Sequence, residues 1–548
     1  MRHSIDRINI SITATGGIDG VALQQETSLL FWNTLRPKME ELFDRVSDEN
    51  VIQVIDHLTI DLGNISSADW QAQYSEKLLQ ALQMALQPLE KPLKKTETIS
   101  PLQENPVADQ AFQISGEQRQ SVRLRLFDIW LHFLQKGVLP PAATLPTNES
   151  EWRQAILETL AAETRAEQQL LHLIRQHPTV ARRLAMQFEE GFLARIAAVL
   201  NRQSLEPLPL LRIQWQTAFA ALTAAIPGSS SSARSSEIVQ AMYAAPDFWH
   251  RYFMGVVATN SKNLTPEQAA ALPFEQFLKT RPAPEVQSWQ AAWQQILRPA
   301  KSGSPKQAQA GGRSLPPELE KVISEALAVA RRITNSASNP VRQPASDAPA
   351  EQHVGDGAAR EVPDAMASKP AADLSADPLQ TPLYVQWAGV VLTHAFLPAF
   401  FKTLDLLDEQ KQFKSTEAQQ KAIHAIQFLA NGEETALEYR LILPKLLCGL
   451  PPDHPIERAI TLSDPEKAEA DTLLRSLLAH WNALGSTSPA GLREGFFDRS
   501  GKLSKGQNGP LLHVESRTLD IMLQRLPWPL SLVRLPWMKE MLQVDWIY

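Results

Sequence analysis

Hydrophobic positions change their period along this chain, and the changes divide it. Near the start, Ile8, Ile10 and Ile12 alternate with polar residues, which predicts a half-buried strand ended by Gly16-Gly17. Val21 to Val46 then takes helical spacing, with Leu23, Leu30, Phe31, Leu35, Met39, Leu42 and Phe43 near one broad face. Pro37 inside that stretch predicts a kink or a join between two helices. Ile52, Val54, Leu58, Ile60 and Leu62 alternate again, interrupted by Asp56 and ended by Gly63. Ser66 and Asp69 have the spacing of a capping box opening a helix over 67–87. The predicted order over 1–87 is a small N-terminal β-α-β-α module.

Pro, Lys, Glu and Thr dominate 88–117, which predicts a linker. Helical periodicity fills 118–226, with amphipathic helices at 122–135, 151–165, 167–177, 180–201 and 209–225. Pro227-Gly228 and the serines after them predict a flexible joint over 227–235, before a second helical region over 236–300. Large apolar residues become scarce over 301–382. A segment of that composition cannot bury enough surface to offset its ordering entropy, so a long disordered linker is expected. One island near 318–334 keeps helical spacing through Val322, Ile323, Ala326, Leu327 and Ala330. Order returns over 383–548, with predicted helices at 383–406, 416–431, 437–448, 465–484 and 518–525. Short strands are predicted at 511–515, 530–535 and 542–547. The expected fold class is mainly α and multidomain: the N-terminal module, central helical segments, the linker and a C-terminal α+β domain.

A length of 548 residues is too great for one core, so several domains are expected. The net charge of −7 argues against nucleic acid as the main partner, because phosphate binding needs a basic face. One cysteine, Cys448, excludes an intramolecular disulfide and any multi-cysteine metal site within the chain, and fits a reducing compartment. Residues 1–20 lack an apolar signal core, and no run of about 18 apolar residues occurs. Neither a membrane span nor a standard signal peptide is expected.

Candidate chemistry is sparse. Gly495-Phe-Phe-Asp-Arg-Ser-Gly501-Lys502-Leu503 superficially matches a phosphate-binding loop. Its glycines are one residue too far apart, and Leu503 stands where a magnesium-binding Ser or Thr is needed. A turn before a strand fits better. His394, His424, His454, His480 and His513 lack the spacing of a helical metal pair. Cys448 sits among Leu446, Leu447 and Leu450, an apolar setting that makes a thiol inert. Arg493, Glu494, Asp498 and Arg499 cluster between Gly491 and Gly501, where local ion pairing is a commoner role than catalysis. Phe400-Phe401, Phe496-Phe497, Trp528, Trp537 and Trp546 are expected in a core or a subunit interface. No enzyme activity, metal or cofactor is expected.

Leu526-Pro527-Trp528 recurs as Leu535-Pro536-Trp537. Each unit fixes one backbone angle beside a large ring, which predicts a rigidly packed terminus. Together with Leu446-Leu447-Cys448-Gly449-Leu450-Pro451, the segment from Gly491 to Leu503, His394 to Phe401 and His480-Trp481, these units resemble the contractile injection system tape measure protein family. The stretch from Ile55 to Gly63 is similar to that family's opening module. The likeness covers roughly 1–87 and 383–548. Ala395 and Pro510 depart from it, standing where proline and tryptophan are expected.

The resemblance implies a component of a phage-tail-like particle with an inner tube, a contractile sheath and a baseplate. Such a protein is expected to occupy the tube lumen during assembly and help set tube length. Tube and baseplate proteins are the implied partners, and further copies of the chain itself are another. The bacterial cytoplasm during assembly is the implied location, and the released particle a later one. No catalytic residue is carried over. Leu447, Cys448, Gly449, Arg493, Glu494, Gly495, Trp528, Trp537 and Trp546 become candidate structural or interface residues. A wholly helical chain would reach about 820 Å at about 1.5 Å per residue, but 39 prolines interrupt any such rod. The chain therefore rearranges or stretches in the tube, shares the task among several copies, or acts nearer to nucleation and capping. An adaptor or assembly chaperone is the alternative function. A cargo toxin with a hydrolase built on Glu494 and Asp498 is a third.

Overall fold

A computed structural model describes residues 3, 5, 8–14, 19–46, 51–66, 69–86, 112–141, 143–225, 231–297, 317–338, 379, 381–507 and 509–546. The chain divides into two units, one of residues 1–130 and 142–159, the other of 131–141 and 160–548.

In the first unit, helix α1 (Gly20–Leu30) starts on an Asp19 cap whose carboxylate accepts from the Val21 N–H. A π-helical turn, Phe31–Leu35, joins it to α2 (Arg36–Val46). This turn answers the problem posed by Pro37. The proline ring would clash with the carbonyl four residues back, and a wider turn just before it relieves the clash. Strand β1 (Val51–Ile60) and helix α3 (Trp70–Leu86) follow, and β1 pairs antiparallel with β2 (Phe112–Ser121). Leu35 of the π turn and Met39 and Leu42 of α2 pack with Tyr74, Leu82 and Leu86 of α3.

A β-α-β-α module is not what forms. Ile8, Ile10 and Ile12 lie in irregular, exposed chain, so the first expected strand is absent from this fold. The strand that pairs with β1 comes from 112–121, where alternation is weak and the composition suggested a linker ending at 117. Non-local pairing supplied what local pattern could not. The linker's other residues, apart from 112–117, lie outside the described set. The capping box differs too. The Ser66 N–H donates to Gln73 Oε1 at 3.1 Å, and α3 begins at Trp70.

Helix α4 (Val122–Lys136) precedes α5 (Glu149–Ala162). The second unit continues with α6 (Thr164–Gln176), α7 (Pro178–Gln187), α8 (Glu190–Asn201) and α9 (Leu208–Ala225). The single helix expected over 180–201 is thus two. Extended backbone at Phe188 and Glu189 separates them. Next come α10 (Ser231–Met242), α11 (Ala245–Thr259), α12 (Pro266–Lys279), α13 (Ala283–Leu297) and α14 (Pro317–Ser338). Ser231 already belongs to α10, so the expected joint is helical in its later part, and 226–230 lie outside the described residues. Rings of Trp215, Phe219, Tyr243, Phe274 and Trp293 meet at 5.2–6.1 Å in the helical core. Helix α14 buries Val322, Ile323, Ala326, Leu327 and Ala330, and it packs on α9, α12 and α13. The remainder of the expected disordered linker, apart from 379, 381 and 382, lies outside the described residues.

The C-terminal part of this unit carries a five-stranded sheet in the order β3-β4-β5-β7-β6. The strands are β3 (Leu383–Val385), β4 (Gly501–Gly506), β5 (Gly509–Val514), β6 (Leu532–Val533) and β7 (Leu542–Asp545). All neighbours are antiparallel except β5 with β7. Helices α15 (Leu397–Thr403), α16 (Thr416–Asn431), α17 (Ile442–Leu447), α18 (Asp464–His480) and α19 (Pro489–Leu492) accompany the sheet. Leu383, Val385, Leu503, Leu512, Val514, Val533, Leu542 and Val544 join Phe400, Ile423, Ile426, Leu447 and Leu474 in one core.

The helix expected over 383–406 breaks into a strand, a 3-10 segment (Ala388–Ala395) and α15. Trp387 adopts φ +58 between them. That left-handed residue turns the chain out of the sheet. Only glycine fits at 389, because a Cβ there would run into the Phe496 carbonyl. The 518–525 helix is 3-10 rather than α.

Candidate functional site

The residues singled out by sequence form three separate struts inside the C-terminal core. In the first, Trp537 reaches across to α17, and its indole Nε1–H donates to the Leu447 carbonyl at 2.8 Å. That carbonyl belongs to the end of a helix, where four acceptors lack intrahelical donors. Cys448 caps the helix, and Gly449 follows at φ +79 with its Cα against the Trp537 backbone. A Cβ at 449 would lie 2.8 Å from the Trp537 carbonyl oxygen. Leu447, Cys448, Gly449 and Trp537 are therefore one contact. Burial pushes the Cys448 thiol well above its ordinary range, which keeps it protonated and unreactive.

The second strut is Arg493. It lies in a π-helical turn, Arg493–Phe497, and caps the end of α16 by donating to the Phe428 and Leu429 carbonyls at 3.1 and 3.0 Å. A guanidinium suits this place because its fork and charge match two carbonyls at the negative end of the helix dipole. Glu494 points to solvent, and Gly495 has room around it.

In the third, Asp520 accepts from Arg499 Nη2 at 3.0 Å and from Trp546 Nε1 at 2.9 Å, all three residues being buried. The charge cluster seen in sequence thus separates. Arg493 serves α16, Arg499 serves Asp520, and Glu494 and Asp498 are exposed. Trp528 stands apart as a half-buried ring, edge-on to Phe396 at 5.1 Å and to Trp481 at 6.4 Å.

Pattern reading missed a fourth and more buried constellation. Glu438 is wholly buried between two cations, Arg183 of α7 and Lys445 of α17, each 2.9 Å from a carboxylate oxygen. The remaining donors are met by backbone carbonyls. Arg183 donates to Leu134, Gln135 and Asp453, and Lys445 to Pro452 and His454. Burial pulls the Lys445 ammonium below its ordinary value, opposed by the Glu438 charge. Gln187 completes the joint. Its amide donates to Ile456 O at 2.7 Å and accepts from the Glu438 N–H at 2.8 Å. Gly137, at φ +72, lets the backbone pass beside the ion pair, since a Cβ there would collide with Glu438 Oε1. The sequence signal was a lone charge inside an apolar run, Lys445 between Pro444 and Leu446.

These arrangements hold helix ends and loops together. Among the described residues no group of three or more His, Cys, Asp or Glu is placed to hold a metal ion. His394 and His424 each face a backbone carbonyl, Val391 O and Glu457 O, at 2.9 and 2.8 Å. No described helix is long and apolar enough to cross a membrane.

The contractile injection system tape measure protein family model matches residues 2–546. The chain belongs to this family. Its members have a structural role in setting tube and sheath length in a phage-tail-like injection system, and this tape measure chain shares that role. A structural family and struts of this kind are consistent with a non-catalytic protein. No curated protein and no solved structure matches the chain.

Proposed function

We propose that this tape measure protein governs length as a folded body acting at the assembling tube, with tube and baseplate proteins as its partners, rather than as a continuous helical rod along the lumen. The observation that carries this reading is the Glu438 joint, which ties α7 to the loops between α16 and α18. Drawing the second unit into a line would part Arg183 from Glu438 and open the apolar core beneath. Assembly in the bacterial cytoplasm belongs to the same reading. So does a structural or interface role for Leu447, Cys448, Gly449, Arg493, Glu494, Gly495, Trp528, Trp537 and Trp546.

In-frame deletions within 301–382, with particle length measured by electron microscopy, test it. Unchanged length in assembled particles is expected. Shortening in proportion to the residues removed would establish a linear ruler instead.

An adaptor reading is favoured by the outer face of the C-terminal sheet. Tyr384, Lys502, His513 and Asp545 form one cross-strand row there, with Tyr384 and His513 exposed. Lys502→Glu with Tyr384→Ala would then block assembly while leaving the fold intact, and normal assembly would remove this reading.

A further inference from the structure

The first unit contains a strand pattern without a strand, and a sheet without enough strands. Ile8, Ile10 and Ile12 alternate as in a half-buried strand, yet their side chains are 43%, 41% and 44% exposed. In the same unit, β1 runs ten residues and, among the described residues, pairs only with β2. Ile55, Leu58 and Ile60 of β1 pack against the core formed with α2 and α3, so one face of the sheet is supported by helices while the strand edge stays without a partner among the described residues. A long strand with an open edge is also a template for another chain. A second feature points the same way. Val21, Leu29 and Trp32 recur at helical spacing on α1 and the π turn, and all are more than half exposed. Contiguous exposed apolar groups of this kind mark a contact surface.

We propose that residues 8–12 add as a third strand to the open edge of the β1–β2 sheet of a second copy of this chain, so that two copies exchange strands. The second copy is the fitting occupant because one chain carries both halves of the contact, the unpaired strand and the open edge. Reciprocal exchange closes as a two-fold dimer and leaves neither half exposed. Backbone ladder bonds would supply affinity, and the isoleucines on one side of the added strand would supply register. The proposal is independent of how tube length is set.

Single-cysteine additions in the full-length chain test it. Chains bearing Ser11→Cys, on the side of the added strand away from the isoleucines, are mixed with chains bearing His57→Cys, on the exposed side of β1, and oxidised. Cys448 is buried and stays in place. A disulfide-linked dimer of the two variants is expected, well above that formed when His57→Cys is replaced by Glu158→Cys on α5. Light scattering should show a dimer of the unmodified protein. Ile10→Pro, which removes a ladder donor in an exposed segment, should weaken dimerisation about tenfold or more. A monodisperse monomer would overturn the proposal. So would a cross-link that forms only within one chain in the Ser11→Cys, His57→Cys double variant, which would place the strand on its own sheet. A dimer insensitive to Ile10→Pro would overturn it equally.

Discussion

Arg183 and Glu438 are 255 positions apart in sequence and meet as a wholly buried ion pair at 2.9 Å. With Lys445 on the other carboxylate oxygen, one anion serves two cations. The joint therefore has a charge sum that predicts the order of its mutants. Removing the anion leaves two buried cations facing each other. Removing Lys445 leaves a balanced pair. Glu438→Gln should lower unfolding free energy by about 3–5 kcal/mol, and Lys445→Met by clearly less. Chemical denaturation of both variants checks this, and the reverse order would contradict the geometry.

The glycines separate equally well. Gly389→Ala drives a Cβ into the Phe496 carbonyl, and the backbone on both sides is buried. A loss of about 3 kcal/mol or more is expected, seen as insoluble or poorly folded protein. Gly495→Ala meets only a Leu519 methyl at 3.8 Å, an ordinary contact. It should change stability by less than about 1 kcal/mol. Similar melting temperatures for the two variants would refute this.

Trp537 and Trp528 look alike in sequence but occupy different settings. Trp537→Phe should lose the bond to the Leu447 carbonyl and about 1–2 kcal/mol, while Trp537→Ala should lose about 3–5 kcal/mol. Trp528→Ala removes a half-buried ring and should be milder than Trp537→Ala. Thermal melts of the three variants decide the order.

Burial holds the His394 and His424 rings below their ordinary value of 6.5. Above that value both rings are neutral in the folded and unfolded chain. As pH falls below it, the unfolded chain takes up protons that the folded chain resists. Stability is then lost progressively toward the lower folded values. The melting temperature should therefore fall between about pH 7 and about pH 5, and His424→Gln should flatten that fall. An unchanged slope in the variant would assign the acid sensitivity to other groups.

The C-terminal part shows where sequence pattern succeeds. Helix α16 spans the 416–431 stretch read from its spacing, opened by Ser415 and closed by Gly432 in the left-handed conformation. Both signals are local, and each acts within one turn of the helix it bounds. The segment containing Leu383 shows where pattern fails. Its apolar spacing resembles a helix, but Pro382, the Trp387 backbone and the close approach of Gly389 to Phe496 break it into three pieces.

Sequence alone determined the helical regions, the island at α14, the inert setting of Cys448 and the family likeness carried by the paired Leu-Pro-Trp units. Those features depend on residues a few positions apart, or on motifs met whole. Only the tertiary structure decided that β1 pairs with β2 rather than with 8–12, that Arg493 and Arg499 serve different partners, and that Glu438 stands between Arg183 and Lys445. The physical reason is range. Periodicity and capping act over a few residues, whereas a buried charge is settled by whichever group the fold brings within 3 Å of it.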